Sequence, residues 1–318
     1  VKQYLKIMKE ATYGTAPTVA GTAGVDFIWV ELAENDPSVD VKPTTYQISG
    51  ARPSRGVVEI QTGSSQYAVG GSIQTYLYHE QAAFWNTAVF SPTVTNNLPD
   101  LPSYTIHKSY ADNSGTFRGE QFTGCKFTSA TLSGSNSGSS AMIGLSLNLV
   151  GSKFIDSTAL SYPSCTVFPS QLYTWSMCDL QLGGVSLKSL MRSVSLSISH
   201  KTNPIFHANA YADRIAYYGW DPKIASTWDL DNHSYTAKHR QIMTSFAAAA
   251  YSSGVNKFEL VYDSATPTLR KTTFTLFNVV IAGLNTSKPP AGDFTQSADL
   301  MPYYDCTNMD MTCAVVTT

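Results

Sequence analysis

Two groups of residues could do chemistry. The chain has six histidines, and four of them fall in two couples, His200 with His207 and His233 with His239. Zinc needs three or four ligands converging on one point. The spacing of His233 and His239 fits neither one helix face nor one strand pair, so isolated surface or interface histidines are the plainer reading. The carboxylates Asp213, Asp221, Asp229 and Asp231 form the second group, with Trp220 and Trp228 beside them. Paired carboxylates could cleave glycosides, and the indoles could stack on sugars. Aspartate beside proline or asparagine is more often a turn former. No GxSxG elbow, Walker A loop, GxGxxG, HExxH or EF-hand loop occurs. No catalytic, cofactor-binding or metal residue is assigned, and the chain is expected not to be an enzyme.

The five cysteines, Cys125, Cys165, Cys178, Cys306 and Cys313, are odd in number and have no CxxC spacing. Cys165 with Cys178, or Cys306 with Cys313, could pair in an oxidising setting; buried thiols are the simpler expectation. Charged residues make up only 14% of the 318, and the net charge is −2. Binding to phosphate backbones needs many cationic contacts, so a nucleic-acid grip is not expected. The 18 tyrosines, 14 phenylalanines and 5 tryptophans suit large protein interfaces. With no 18-residue apolar run, a membrane partner is not expected.

The clearest element is the stretch Phe117 to Asp156. Two β-rich runs with period-two alternation flank the turn SGSNSGSS, which reads as an antiparallel pair with one apolar face. Before it, the first ten residues read as strand or short helix, Phe27 to Leu32 as a strand, and Asp36 to Pro53 as irregular, either a long hairpin or an arm. Gly56 to Gln61 and Tyr67 to Tyr78 read as strands, with Gly70-Gly71 marking a bulge or bend. A short helix is expected over Glu80 to Val89 and a strand over Tyr104 to Tyr110. After it, Phe154 to Pro169 reads as a linker. Leu172 to Leu180 and Ser186 to His200 read as strands, and Asp221 to His233 as turn-rich. Ser234 to Ala250 is the best helix candidate. Asn256 to Asp263 and Leu269 to Leu284 read as a hairpin, and Met301 to Cys306 as a late strand at best.

The two halves repeat one order: strands, a helix, then a strand pair. This element order suggests an internal duplication near Ser170. The expected organisation is therefore mainly β. Residues 1–169 form a first module with the loop 36–53, and residues 170–318 a second module with the helix 234–250 and a C-terminal tail.

Three stretches carry a family resemblance: TYGTAPT (Thr12 to Thr18), YQISGARP (Tyr46 to Pro53) and FTGCKFTSATLSGSNSGSSAMIGLSLNLVG (Phe122 to Gly151). Together with SVSLSISHKTNP (Ser193 to Pro204), they resemble the tail tube (major tail) proteins of long-tailed bacteriophages. The resemblance implies β-sandwich or barrel modules with flanking short helices. It implies a structural virion protein without cofactor, forming stacked rings as a conduit for DNA ejection. Implied partners are further copies of the chain, the tape measure protein, and tail terminator and tip proteins, with double-stranded DNA passing without specific binding. A duplicated chain would form a trimeric, pseudo-hexameric ring rather than a hexamer. Asp36 to Pro53 would be the ring-to-ring contact, and Asp112 to Gly119 a second one. The competing readings are a carbohydrate-binding or host-recognition β module and a glycan hydrolase.

Overall fold

The computed structural model describes residues 3–18, 21–23, 25–30, 38–48, 59–90, 93–95, 98–111, 117–136, 142–157, 172–182, 185–207, 211–229, 256–262, 270–277, 279–287, 295–302 and 311–317. The first half holds β1 (Gln3–Lys9), β2 (Phe27–Val30), β3 (Asp40–Ile48), β4 (Glu59–Tyr76), α1 (His79–Trp85), β5 (Thr93–Thr95), β6 (Leu98–Asp100), β7 (Tyr104–Ala111), β8 (Phe117–Ser135), β9 (Gly144–Gly151) and β10 (Lys153–Ser157). The second holds β11 (Cys178–Leu182), β12 (Val185–Ser186), β13 (Met191–Ile205), β14 (Arg214–Asp229), β15 (Asn256–Tyr262), β16 (Arg270–Leu276), β17 (Val280–Ser287), β18 (Thr295–Met301) and β19 (Met311–Thr317). The chain is mainly β, as expected.

Strand β8 organises the molecule. Its first part pairs with β7 and β10, and its second part, from Lys126 on, pairs with β9 and β13. The change falls at Gly124, whose φ of 66° is in the left-handed region. A Cβ there would also sit 2.8 Å from that of Ser152, so glycine is required twice over. The burial pattern changes face at the same place. Phe122 is buried before the bend, Cys125 and Phe127 just after it, and Ala130 and Leu132 beyond.

Three β layers result. The first runs β2-β1-β7-β8-β10, and the long sheet β3-β4-β9-β8-β13-β14-β18-β17. The third runs β12-β11-β15-β16-β19. The strand orders repeat. Within the long sheet, each half contributes a hairpin (β3–β4, β13–β14), then its penultimate strand (β9, β18), then the strand before that (β8, β17). The first and third layers also match, β2-β1-β7-β8-β10 against β12-β11-β15-β16-β19. The irregularities recur as well. β8 slips by one residue against β9 between Phe127 and Ser129, and β17 slips against β18 between Ile281 and Gly283. The hairpin β3–β4 is irregular between Pro43 and Thr45, and β13–β14 between His200 and Thr202.

The core lies between the long sheet and the other layers. Leu145, Leu147, Leu149, Leu196, Ile198, Ile224 and Leu300 point inward from the long sheet. They share one cluster with Trp85, Val89, Phe90, Phe258 and Phe274. Helix α1 continues as a π-helical turn over Asn86–Phe90, a longer element than the expected Glu80 to Val89. The turn ties the halves together, with Phe90 edge-on to Phe274 at 5.0 Å and Asn86 Nδ2 donating to the Cys313 carbonyl at 3.2 Å. Tyr173 Oη does the same, lying 3.0 Å from both His79 Nδ1 and Thr272 Oγ1.

Several expectations need correction. Of the two readings of Asp36 to Pro53, the hairpin is the one seen: Asp40–Ile48 is a strand paired antiparallel with β4. β4 is one strand over Glu59–Tyr76, and Gly70-Gly71 carries no register slip. Gly71 is needed for a close approach, since a Cβ would lie 2.2 Å from the Ser38 carbonyl oxygen. The linker expected from Phe154 begins within β10, Leu172 to Leu180 contains a 3-10 turn at Trp175–Met177, and the strand from Ser186 begins only at Met191. Asp221 to Asp229 is not turn-rich but the second part of β14. Leu269 to Leu284 is two strands entering different sheets, and the tail supplies β18 and β19 rather than one strand at Met301. Cys125, Cys178 and Cys313 are free thiols, the first two buried, which agrees with the simpler expectation, while Cys165 and Cys306 lie outside the described residues. The helix expected over 234–250 lies outside the described residues, as do 49–53 and 112–116 of the expected contact segments.

Candidate functional site

The residues singled out for chemistry do not converge. Asp213 and Asp229 stand near opposite ends of β14, and Asp221 lies between them. A strand rises about 3.3 Å per residue, which puts Asp221 and Asp229 roughly 25 Å apart, beyond the separation of about 5–10 Å that glycosidases use. Asp213 Oδ2 accepts from the backbone N–H of His207 and lies 2.9 Å from its Nδ1, while Asp229 pairs with Arg192. Trp228 is fully buried and donates to Gln296 Oε1 at 3.2 Å, so it cannot stack on a sugar. Trp220 stacks on His200 at 6.1 Å. His200 is buried, with Nε2 2.9 Å from the Val89 carbonyl, and burial lowers its pKa from 6.5 to about 4. It is therefore a neutral core histidine. Asp231, His233 and His239 lie outside the described residues. Among the described residues no group of His, Cys, Asp and Glu is arranged to hold a metal ion.

What the fold does build is a surface. The face of the long sheet turned away from the core carries small polar side chains in cross-strand rows. One row reads Ser72, Asn148, Ser129, Ser199, Asp221, and the next Gln74, Ser146, Thr131, Ser197, Lys223. A third includes Ser135, Ser193, Thr227, Ser297 and Asn285. The alternation of Ser193, Ser195, Ser197 and Ser199 with Val194, Leu196 and Ile198 makes this face directly, because successive side chains in a strand point to opposite sides. A trough of about 510 Å³ runs over it, lined among others by Tyr76, Ser133, Ser195, Thr227, Ser297 and Asp299.

Charge on this face is sparse. Lys223 is neutralised by Asp299, with Nζ 2.9 Å from Oδ2, and Asp40 and Asp221 are exposed acids. A solvent-facing sheet would normally carry more Lys and Glu. This one offers hydroxyls that hydrogen-bond water, and the exposed Lys201 follows Ser199 on the same side of β13. Such a surface stays wet and, among the described residues, holds no cationic stripe.

The strand that supports this surface is held at its bend by buried polar groups. Glu10 is buried, and its carboxylate accepts from the N–H groups of Gly14 and Gly124 and from Thr105 Oγ1, each at 2.8 Å. Beside it, Lys126 Nζ reaches Asp100 at 2.8 Å and the Ile215 carbonyl at 3.2 Å. Ser152 Oγ donates to the Ala212 carbonyl. These contacts clamp the β13–β14 hairpin onto the bend of β8. Neither Glu10 nor Lys126 was apparent as a structural site in the sequence, because each is a lone charged residue inside a strand-rich stretch.

A family model of phage tail tube proteins matches residues 1–239. The chain belongs to this family. No curated protein matches it. Tail tube proteins are structural components of the virion, so this chain is a virion protein of the tail tube and not an enzyme. The hydrolase and carbohydrate-binding readings give way to a structural one, in keeping with the dispersal of the aspartates along β14 and the burial of Trp228.

Proposed function

We propose that the two halves of the chain are duplicated tail tube modules, residues 1–169 and 170–318, and that three chains close into one pseudo-hexameric ring. The observation carrying this reading is the repeated strand order within the long sheet and between the first and third layers, together with the recurring register slips at Phe127/Ser129 and Ile281/Gly283. Independent folds would have no reason to share both.

Ring size supports three copies. Strands spaced about 4.8 Å and tilted by about 40° give a backbone diameter of roughly 32 Å for two copies of an eight-stranded wall and roughly 48 Å for three. Only the larger leaves clear room for a hydrated double helix. The hydroxyl-lined face then forms the lumen, and the apolar face packs outward on the other layers. Rings stack into a tube, with the part of Asp36 to Pro53 that follows β3 as the ring-to-ring contact and Asp112 to Gly119 as a second. Tape measure, terminator and tip proteins meet this tube at its bore and ends.

Negative-stain microscopy and sedimentation of the purified chain test the reading. Rings or long hollow filaments are expected. A protein that stays monomeric at all concentrations and under all salt conditions would contradict it.

A further inference from the structure

The long sheet contains a seam between the two halves, and it ends in two free edges. Within the chain, β8 of the first half pairs with β13 of the second. Among the described strands, β3 pairs only with β4 and β17 only with β18, so β3 and β17 are the sheet's two edges. By the repeated order, β3 is the counterpart of β13, and β17 the counterpart of the second part of β8. The edge strands are therefore the same two kinds of strand that already meet inside the chain. Unpaired edges expose rows of N–H and C=O groups that favour pairing with another chain.

The register slips turn this equivalence into residue numbers. Ser129 is the first residue of β8 past its slip, and Gly283 the first of β17 past its own. Two residues further on stand Thr131 and Asn285, opposite Ser146 and Ser297 respectively. On the other strands, His200 of β13 and Pro43 of β3 immediately precede the irregularities. Three residues before them stand Ser197 and Asp40. Ser197 pairs with Thr131 inside the chain.

We propose that β3 of one copy adds to β17 of the next in the antiparallel register of the β13–β8 seam, so that the partner's Asp40 faces Asn285. The inference rests on the ring reading above and names its contact. The same transfer takes Ser195 opposite Ser133 to the partner's Ser38 opposite Ser287. All four residues are exposed in the single chain, as free edge positions must be. The two seams differ in chemistry. The inner one joins Ser197 to Thr131, whereas the outer one joins an acid to an amide that can donate to it. Asp40 thus marks the edge meant for another copy, and a charged edge resists indiscriminate pairing.

The test is disulfide trapping in assembled rings. Directly opposed antiparallel residues have Cα atoms about 4.5–5.5 Å apart, within disulfide range. Asp40→Cys combined with Asn285→Cys should lose its monomer band to a covalent ladder on a non-reducing gel. The unmodified chain and the pair Asp40→Cys with Ser287→Cys, two residues out of register, should not. Rings that form without a ladder, or that cross-link better out of register, overturn the register while leaving the ring standing. Should that double variant fail to assemble, Ser38→Cys with Ser287→Cys and a cryo-microscopy map of the unmodified tube decide. A map pairing β3 with any strand but β17, or with Asp40 away from Asn285, overturns the inference. An unmodified protein that forms no rings overturns the ring reading itself.

Discussion

The backbone N–H of Gly124 donates to the carboxylate of Glu10 at 2.8 Å, across 114 residues of chain. This bond fixes the point at which β8 leaves one sheet for another. It is buried, so it cannot be replaced by water.

Removing either partner should therefore loosen the whole sheet. Glu10→Gln sets an amide NH₂ where at least one of three donors now finds an oxygen. Leaving a buried donor unpaired costs about 1–3 kcal/mol. Gly124→Ala adds left-handed strain of about 1–2 kcal/mol and a clash with Ser152. Urea unfolding should show both losses. Stability equal to the parent's for both would remove the bend from the argument.

Gly71→Ala should separate folding from assembly. The new methyl group would lie 2.2 Å from the Ser38 carbonyl, so residues leading into β3 must move. The displacement falls on the edge strand. Circular dichroism should show a folded chain destabilised by about 1–3 kcal/mol, and sedimentation should show weakened ring formation. Normal rings would mean that the start of β3 is not part of the contact.

Stability should fall in acid. Burial lowers the pKa of His200 to about 4, against the opposing effect of the Val89 carbonyl, and burial followed by the Lys6 charge lowers that of His107 to about 4. Both histidines bind protons more readily in the unfolded chain. The stabilisation they contribute is complete above about pH 6.5 and is lost progressively as the pH falls from there through 4, by roughly 3 kcal/mol for each histidine. Melting temperature measured from pH 7.5 to 4 should drop accordingly, and His200→Gln should remove about half of the slope. An unchanged slope in the variant would refute the assignment.

Cations placed on the hydroxyl face should slow DNA without harming the tube. Ser146→Lys with Ser195→Lys adds two charges per chain to the hydroxyl face described above. Assembled tubes are expected, with slower DNA release that recovers as salt rises, because screening shortens the reach of each charge. Release at the parent rate in low salt would show that this face does not line the bore.

Much of the long sheet was legible in the sequence. The alternation in Met142 to Leu149 and in Ser193 to Ser199 located β9, β13 and the hydroxyl face. The path of β8 was not legible, because a single glycine changes its sheet partners and alternation alone does not report which partners a strand has. The second part of β14 was read as turns on account of Asp221 and Pro222. Proline lacks a backbone donor and usually avoids central strands. Here Pro222 lies beyond the last pairing of β18, at Ile224 with Leu300, so no described strand pairs with the outer side of β14 there. The tail strands were missed because MTCAVVT is too short to declare itself, and only its pairing with β16 makes it a strand.

The rotational symmetry of the assembled ring tests the central claim most directly. A cryo-microscopy map of the tube should show three chains per ring, threefold symmetry, and six similar but distinguishable modules around the bore. Six chains per ring with true sixfold symmetry, or halves of the chain with unrelated folds, would contradict it.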